Sequence, residues 1–240
     1  VDEVTLFSTC LGEEFFPSAI AAARTVLERL GIRVNVRREA FCCGQAAFNE
    51  GMRRDARELA VRLLDTHRPG TPLVVPSGSC TSMIKVFYPD LFVNEPALLQ
   101  KVQALIPWVH EFSDFLVNVV GVTDVGACFP HRVTYHPSCH LMRELHVTDA
   151  PRRLLENVRG LELCELARSA ECCGFGGLFS VKFPEISAAM LADKCKCIEQ
   201  SGAEFVVAND GGCLMQMGGG LHRAGSRIRV RHLAEILASR

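Results

Sequence analysis

Cys42-Cys43-Gly44 and Cys172-Cys173-Gly174 are one tripeptide occurring twice, and the cysteines around each copy repeat with it. Cys10 and Cys139, Cys42 and Cys172, Cys43 and Cys173, and Cys80 and Cys213 each stand about 130 residues apart, the mark of an internal duplication. Two adjacent thiolates put two negative charges on neighbouring side chains, and a disulfide between them would close a strained ring. Such a pair makes most sense beside a cation. The glycine after each pair allows positive φ and close backbone approach, so that N–H groups can face inorganic sulfide.

The elements around the cysteines repeat as well. Val4 to Thr9 reads as a strand ending at Cys10, and Pro17 opens a helix with Ile20, Ala23, Leu27 and Leu30 on one face, stopped by Gly31. Ile32 to Val36 alternates as a strand and leads to Phe41-Cys42-Cys43-Gly44-Gln45, after which Met52, Ala56, Leu59, Ala60, Leu63 and Leu64 mark an amphipathic helix. Leu73-Val74-Val75 then runs into Pro76-Ser77-Gly78-Ser79-Cys80. The second half follows the same order: strand Val133 to Tyr135 before Cys139, a helix with Leu154, Leu155 and Val158, strand Leu161 to Leu166 before Cys172, a helix with Ile186, Ala189 and Met190, and strand Phe205 to Val207 before Cys213.

Each cysteine site falls just after a predicted strand, where open α/β sheets place their ligands. The expected fold is therefore α/β: two duplicated Rossmann-like βα modules related by a pseudo-two-fold, residues 1–122 with connecting helices and residues 123–240. Between them Leu98, Val102, Leu105, Val109, Phe112, Leu116 and Val119 form a heptad-like stripe interrupted by Pro107. This predicts two helices, with Pro107 in the first turn of the second, packed on the body of the protein. A surface for a partner helix, with Trp108 at its edge, is the alternative. Gly121 to Pro130 is the expected linker.

Hydrophobic residues at 48% and charged residues at 22% are enough for a real core, and a net charge of -1 gives no reason to expect nucleic acid or an anionic membrane as partner. Arg223, Arg227, Arg229 and Arg231 read as a solvated face. No apolar run approaches the roughly 20 residues that span a bilayer. Residues Val1 to Phe7 lack a basic n-region and an apolar h-region, so a cytoplasmic location is expected. In that reducing compartment the twelve cysteines read as metal or cluster ligands.

Cys10, Cys42, Cys43 and Cys80 form one set, with 31 and 36 residues between its outer members and the central pair; Cys139, Cys172, Cys173 and Cys213 form the other, with 32 and 39. Four thiolates from three loops suit a 4Fe-4S cluster, one or two per chain, whose iron atoms are spread widely enough to accept adjacent cysteines. Zinc is the alternative, although structural zinc sites usually carry a C-x₂₋₄-C knuckle and neither set has one. Cys164 and Cys197 read as core residues, Cys195 and Cys197 point to different helical faces, and Cys128, Cys164, Cys195 and Cys197 receive no role. His136 and His140 bracket Cys139 and are candidates to donate hydrogen bonds to cluster sulfur, to raise its potential, or to move protons; ordinary polar loop residues are the bland reading. No dinucleotide loop is visible, since the last glycine of a G-x-G-x-x-G begun at Gly174 falls at Phe179. A redox role then requires partners.

Taken together, these motifs resemble the cysteine-rich (CCG) domain family, which includes the CCG-bearing component of heterodisulfide reductase, the glycolate oxidase iron-sulfur component and the lactate utilisation proteins. Within it they are most similar to the bacterial lactate utilisation protein A group, on Phe41 to Gln45, Pro76 to Thr81, Phe112 to Val119, Cys172 to Gly177 and Gly212 to Met215. The resemblance implies an iron-sulfur electron-transfer subunit of a complex that oxidises L-lactate to pyruvate together with lactate utilisation proteins B and C. It implies the eight cysteines named above as iron ligands. One departure stands out: where the heterodisulfide reductase component ends each set with C-x-x-C, this chain has Ser77 before Cys80 and Asp210 before Cys213. That leaves four cysteines per module and sets a disulfide reductase or a zinc-stabilised assembly module as the other expectations. Asp210 reads as a loop-capping carboxylate or a weak oxygen ligand.

Overall fold

Parallel strands cannot be joined by tight hairpins, and each strand here is followed by helix before the next one pairs with it. The computed structural model describes residues 1–37 and 42–240; Phe41, expected just ahead of the first cysteine pair, lies outside the described residues. Strands β1 (Glu3–Phe7), β2 (Arg33–Arg37), β3 (Leu73–Val75) and β4 (Val109–Glu111) form one parallel sheet in the order β2-β1-β3-β4. Strands β5 (Arg132–Tyr135), β6 (Glu162–Cys164), β7 (Phe205–Ala208) and β8 (Arg229–His232) form a second in the order β6-β5-β7-β8. The two orders are the same. Leu6 stands between Val36 and Val74 in the first sheet, as Thr134 stands between Cys164 and Val206 in the second.

The chain leaves β1 towards one edge and β3 towards the other, so the loops after them diverge and open a crevice at the strands' carboxyl ends. Cys10 and Cys80 follow those two strands; Cys139 and Cys213 follow β5 and β7. The inner strands β3 and β7 are apolar and buried throughout, while edge strands β2 and β6 are partly exposed. Helix Pro17–Arg29 begins on proline, buries Ile20, Ala23, Val26 and Leu27, and gives way to Gly31 at φ +79°.

The last helix of each module crosses to the other. Helix Leu233–Ala238, after β8, packs on Pro17–Arg29 of the first module; the helical segment Phe112–Val120, after β4, packs on Asp149–Glu156 of the second. One apolar core therefore spans both sheets and joins Val4, Leu27, Phe115, Val133, Leu154 and Leu237. Arg29 ties the exchange by donating to the carbonyls of Leu237 at 3.1 Å and Ala238 at 2.7 Å, which suits a cation at a helix carboxyl end.

The Leu98 to Val119 stripe resolves differently from the expected pair of helices. Helix Pro96–Leu105 ends in a tight turn, Ile106–Trp108, that contains Pro107; β4 follows, and the second helix starts only at Phe112. Three residues pairing with Leu73 to Val75 complete the sheet, and an apolar residue at every third or fourth position is satisfied equally by a helix, a short strand and another helix. Cys164 is only half-buried, being on the edge strand, and Cys195 is buried along with Cys197, because helix Pro184–Gln200 is also covered by Gly211–Arg223. Among the described residues no helix is long and apolar enough to cross a membrane.

Leu237 is fully buried. Leu237→Ala should cost about 2–5 kcal/mol of unfolding free energy. In urea titrations the loss should appear in the fluorescence of Trp108, in the other module, as one shifted transition; a Trp108 signal that stayed put would show that the modules unfold independently.

Candidate metal centre

In the first module Cys10 and Cys80 are each presented by a short helical turn with a side-chain cap. Thr9 accepts a hydrogen bond from Gly12 N at 3.0 Å and so starts the helical turn that carries Cys10. Ser77 caps Gly78–Ser82 by accepting from Cys80 N at 3.2 Å. Gly44 (φ +83°) and Gly174 (φ +86°) turn the chain directly after the pairs. A β-carbon at Gly174 would stand 2.7 Å from Ser187 O and one at Gly44 3.2 Å from Ala56 O, so glycine is required sterically as well. Their amides point back to sulfur: Gly44 N lies 3.5 Å from Cys42 Sγ and Gly174 N 3.4 Å from Cys172 Sγ. Tyr88 holds the first loop from below, donating to Cys43 O at 3.0 Å; Ser187 does so in the second, donating to Gly174 O at 2.8 Å.

The structure brings each expected set together and sets the two side by side. Cys43 and Cys80 Sγ are 3.2 Å apart, Cys173 and Cys213 Sγ 3.3 Å. All eight cysteines line one cavity of about 230 Å³ at the junction of the modules. All twelve cysteines of the chain are free thiols. A hydrogen bond from Cys10 pulls Cys42 down to about 6, while the same bond, followed by burial, pushes Cys10 far up. Cys139 likewise pulls Cys172 down to about 2 and is itself raised. Bonding to neighbouring cysteines and burial raise Cys80 and Cys173. In each set one thiolate is therefore stabilised by protons kept on its neighbours, and releasing those protons as well requires a positive charge among the sulfurs. Buried polar atoms without partners surround the cavity: both ring nitrogens of His136, Ser138 Oγ and Asp210 Oδ2. Sulfur-rich donors, a need for positive charge and unpaired polar atoms together fit a bound metal or cluster.

His136 is almost fully buried, and burial followed by the charge of Lys194 lowers it to about 4, so its ring is neutral. One of its nitrogens lies with Cys173 and Cys213 Sγ in a trio whose ligand atoms are all within 4.8 Å of one another. His140 is half-buried in the cavity wall, 3.4 Å from Gln45 of the first module and 3.4 Å from Glu144. Asp210 caps a loop, though the loop belongs to the other module. Its Oδ1 accepts from Ser77 Oγ at 2.7 Å, Ser79 N at 3.0 Å and Ser79 Oγ at 2.7 Å. The two residues that stand where C-x-x-C would put cysteine are thus bonded to each other.

Behind the cavity lie residues that sequence reasoning missed. Asn209 donates from Nδ2 to Glu111 Oε1 at 2.8 Å and accepts from Tyr135 OH at 3.1 Å. His232 Nε2 is 3.2 Å from Pro76 O and 3.0 Å from Asn209 O. Glu111 and His232 cap the two exchanged helices, a role marked in sequence only by their place before an apolar run. Lys194, 1% exposed, donates to Arg168 O at 2.9 Å beneath the second set; no periodicity singles it out.

A family model for a cysteine-rich domain, CCG, matches residues 4–85 and again 133–218, one match per sheet. The chain is similar to lactate utilization protein A of Bacillus licheniformis, 44% identical over 238 residues that cover 99% of this chain and 100% of that one. With the protein of the same name from Bacillus subtilis it shares 43% over the same extent. The chain belongs to the lactate utilization protein A family. Among solved structures, a hypothetical protein from Helicobacter pylori superposes with a TM-score of 0.64 at 13% identity, over 98% of this chain and 48% of that one. At that identity the likeness concerns the fold alone.

This family member carries a pH-sensitive junction. Burial raises Glu111 to about 7 from 4.5, against the pull of its bonds to Ser113, Asn209 and the Asp114 amide. The folded carboxyl keeps its proton up to about pH 7 and the unfolded one only to about 4.5. The stability it contributes is therefore full below pH 4.5 and is lost as pH rises through 7. Between those limits the unfolding free energy of Glu111→Gln should gain roughly 3 kcal/mol relative to wild type in urea titrations; a difference that is flat with pH would show that Glu111 stays ionised.

Proposed function

We propose that this protein acts in lactate utilisation as the iron-sulfur electron-transfer subunit of a complex that oxidises L-lactate to pyruvate. The observation that carries this reading is the convergence of eight free cysteines, four from each module, on one cavity. Cys10, Cys42, Cys43 and Cys80 would hold one 4Fe-4S cluster, and Cys139, Cys172, Cys173 and Cys213 a second. A bound cluster supplies reversible one-electron transfer. Oxidation of lactate to pyruvate releases two electrons and two protons, so two one-electron sites in one cavity match its stoichiometry.

The chain's own residues gather the sulfurs of each set around one cavity and direct the Gly44 and Gly174 amides at sulfur. Lactate utilisation proteins B and C are the partners this reading calls for, with the cytoplasm as the setting in which twelve free thiols persist. We place the boundary between the modules at residues 122 and 123, in the segment between Gly121 and β5.

A reductase of disulfides is the second reading, favoured by a cavity that exposes both sets to one small molecule. The Asp210–Ser77 bond weighs against it, because it occupies the positions where a fifth cysteine of each set would stand. Protein purified without oxygen should contain about eight iron and eight acid-labile sulfide per chain. Cys10→Ser and Cys139→Ser should each remove about half of both. Zinc without sulfide would overturn the assignment in favour of an assembly module, and turnover of a disulfide by the isolated protein would favour the reductase.

A further inference from the structure

At the third residue before the first cysteine the two sets differ in kind. Counting back from Cys10 leads to Phe7, the last residue of β1, and from Cys139 to His136, the residue directly after β5, both buried. Phe7 packs in the apolar cluster with Cys43 and Cys80. His136 takes that place in the second module but carries two nitrogens, neither with a hydrogen-bond partner. A buried polar atom left unpaired destabilises the fold, and the duplication shows that an apolar ring is accommodated at this place. Among the atoms near the imidazole are the sulfurs of Cys173 and Cys213, which lie with a ring nitrogen inside a 4.8 Å triangle. Imidazole and thiolate are both ligands for iron and for zinc.

We infer that His136 is a direct metal ligand that takes one iron position in place of one of the four second-set cysteines, so that the second set binds through nitrogen as well as sulfur while the first binds through sulfur alone. This rests on the metal-centre reading above. A neutral imidazole in place of a thiolate removes one negative charge from the site, and such replacement raises the potential of an iron-sulfur centre. The second set is then the more readily reduced of the two, and electrons that enter at the first have a downhill path to the second.

The test is pulsed electron paramagnetic resonance on anaerobically purified, reduced full-length protein, run beside iron and sulfide analysis. Directly bound imidazole should give a strong nitrogen hyperfine coupling in wild type and in Cys10→Ser. The coupling should change to the pattern of the heavier isotope in protein made with ¹⁵N-histidine, which requires no substitution at the site. It should persist in His140→Ala and vanish in His136→Phe, with the remaining second-set signal moving to lower potential. Iron and sulfide present without that coupling, or with a coupling that survives in His136→Phe, would overturn the inference while leaving the iron-sulfur reading intact. If the metal is zinc, the iron-sulfur reading fails separately. X-ray absorption at the zinc edge then decides: mixed nitrogen and sulfur ligation that becomes sulfur alone in His136→Phe upholds His136 as a ligand, and sulfur alone in wild type, or nitrogen that survives in His136→Phe, overturns it.

Discussion

Four thiols packed together repel as soon as they ionise, so a site of this kind has to be held by a scaffold rigid enough to keep the sulfurs assembled before a cation joins them. Here the scaffold is the carboxyl edge of a parallel sheet. β1 and β3 are the most buried strands of the first module, and their ends diverge; β5 and β7 repeat the arrangement. Cys10, Cys80, Cys139 and Cys213 stand on helical turns that begin directly after those strands, and the paired cysteines swing in on glycine turns that admit no side chain. The bonds between neighbouring thiols lower Cys42 and Cys172 and raise Cys10 and Cys139, so the sulfurs of a set do not all ionise together without a counter-charge.

A single module would present four cysteines on an open edge. Duplication closes that edge by setting a second copy against it, and the copies are locked by exchange: each lends its last helix to the other and each last helix is capped at the shared junction. Asp210 shows how closely the halves depend on one another. Its carboxylate belongs to the second module and orders Ser77 and Ser79 just ahead of Cys80 in the first. The site is consequently a property of the pair of modules, which is why its polar supports, Glu111, Asn209 and His232, come from both.

The duplication also allows the two sites to diverge. Each retains its four cysteines and its glycine, yet the surroundings differ: Phe7 and Leu63 are buried in the first module, His136 and Lys194 in the second. An apolar shell and one that contains an imidazole and an ammonium impose different costs on an added electron, so near-identical ligand sets need not have equal potentials.

Much of this was legible in the residues. The repeat offset announced two like modules, the runs Val4 to Thr9, Leu73 to Val75, Val133 to Tyr135 and Phe205 to Val207 read as buried strands, and every cysteine of the two sets was picked out by spacing. The third-and-fourth-residue stripe hid β4, because Val109-His110-Glu111 is too short to show alternation and becomes a strand only through its pairing with Leu73 to Val75. Ser77 and Asp210 looked like two separate departures from a cysteine pattern, and His136 like a hydrogen-bond donor to cluster sulfur or an ordinary loop residue. Local order along the chain determined strands, turns and which thiols belong together, since those depend on backbone preference and hydrophobic period. The tertiary structure alone decided that both sets share one cavity, that Asp210 bonds Ser77 across it, and that His136 sits unpaired beside Cys173 and Cys213. Those relations join residues far apart in sequence, and they arise only when two sheets bury a common core.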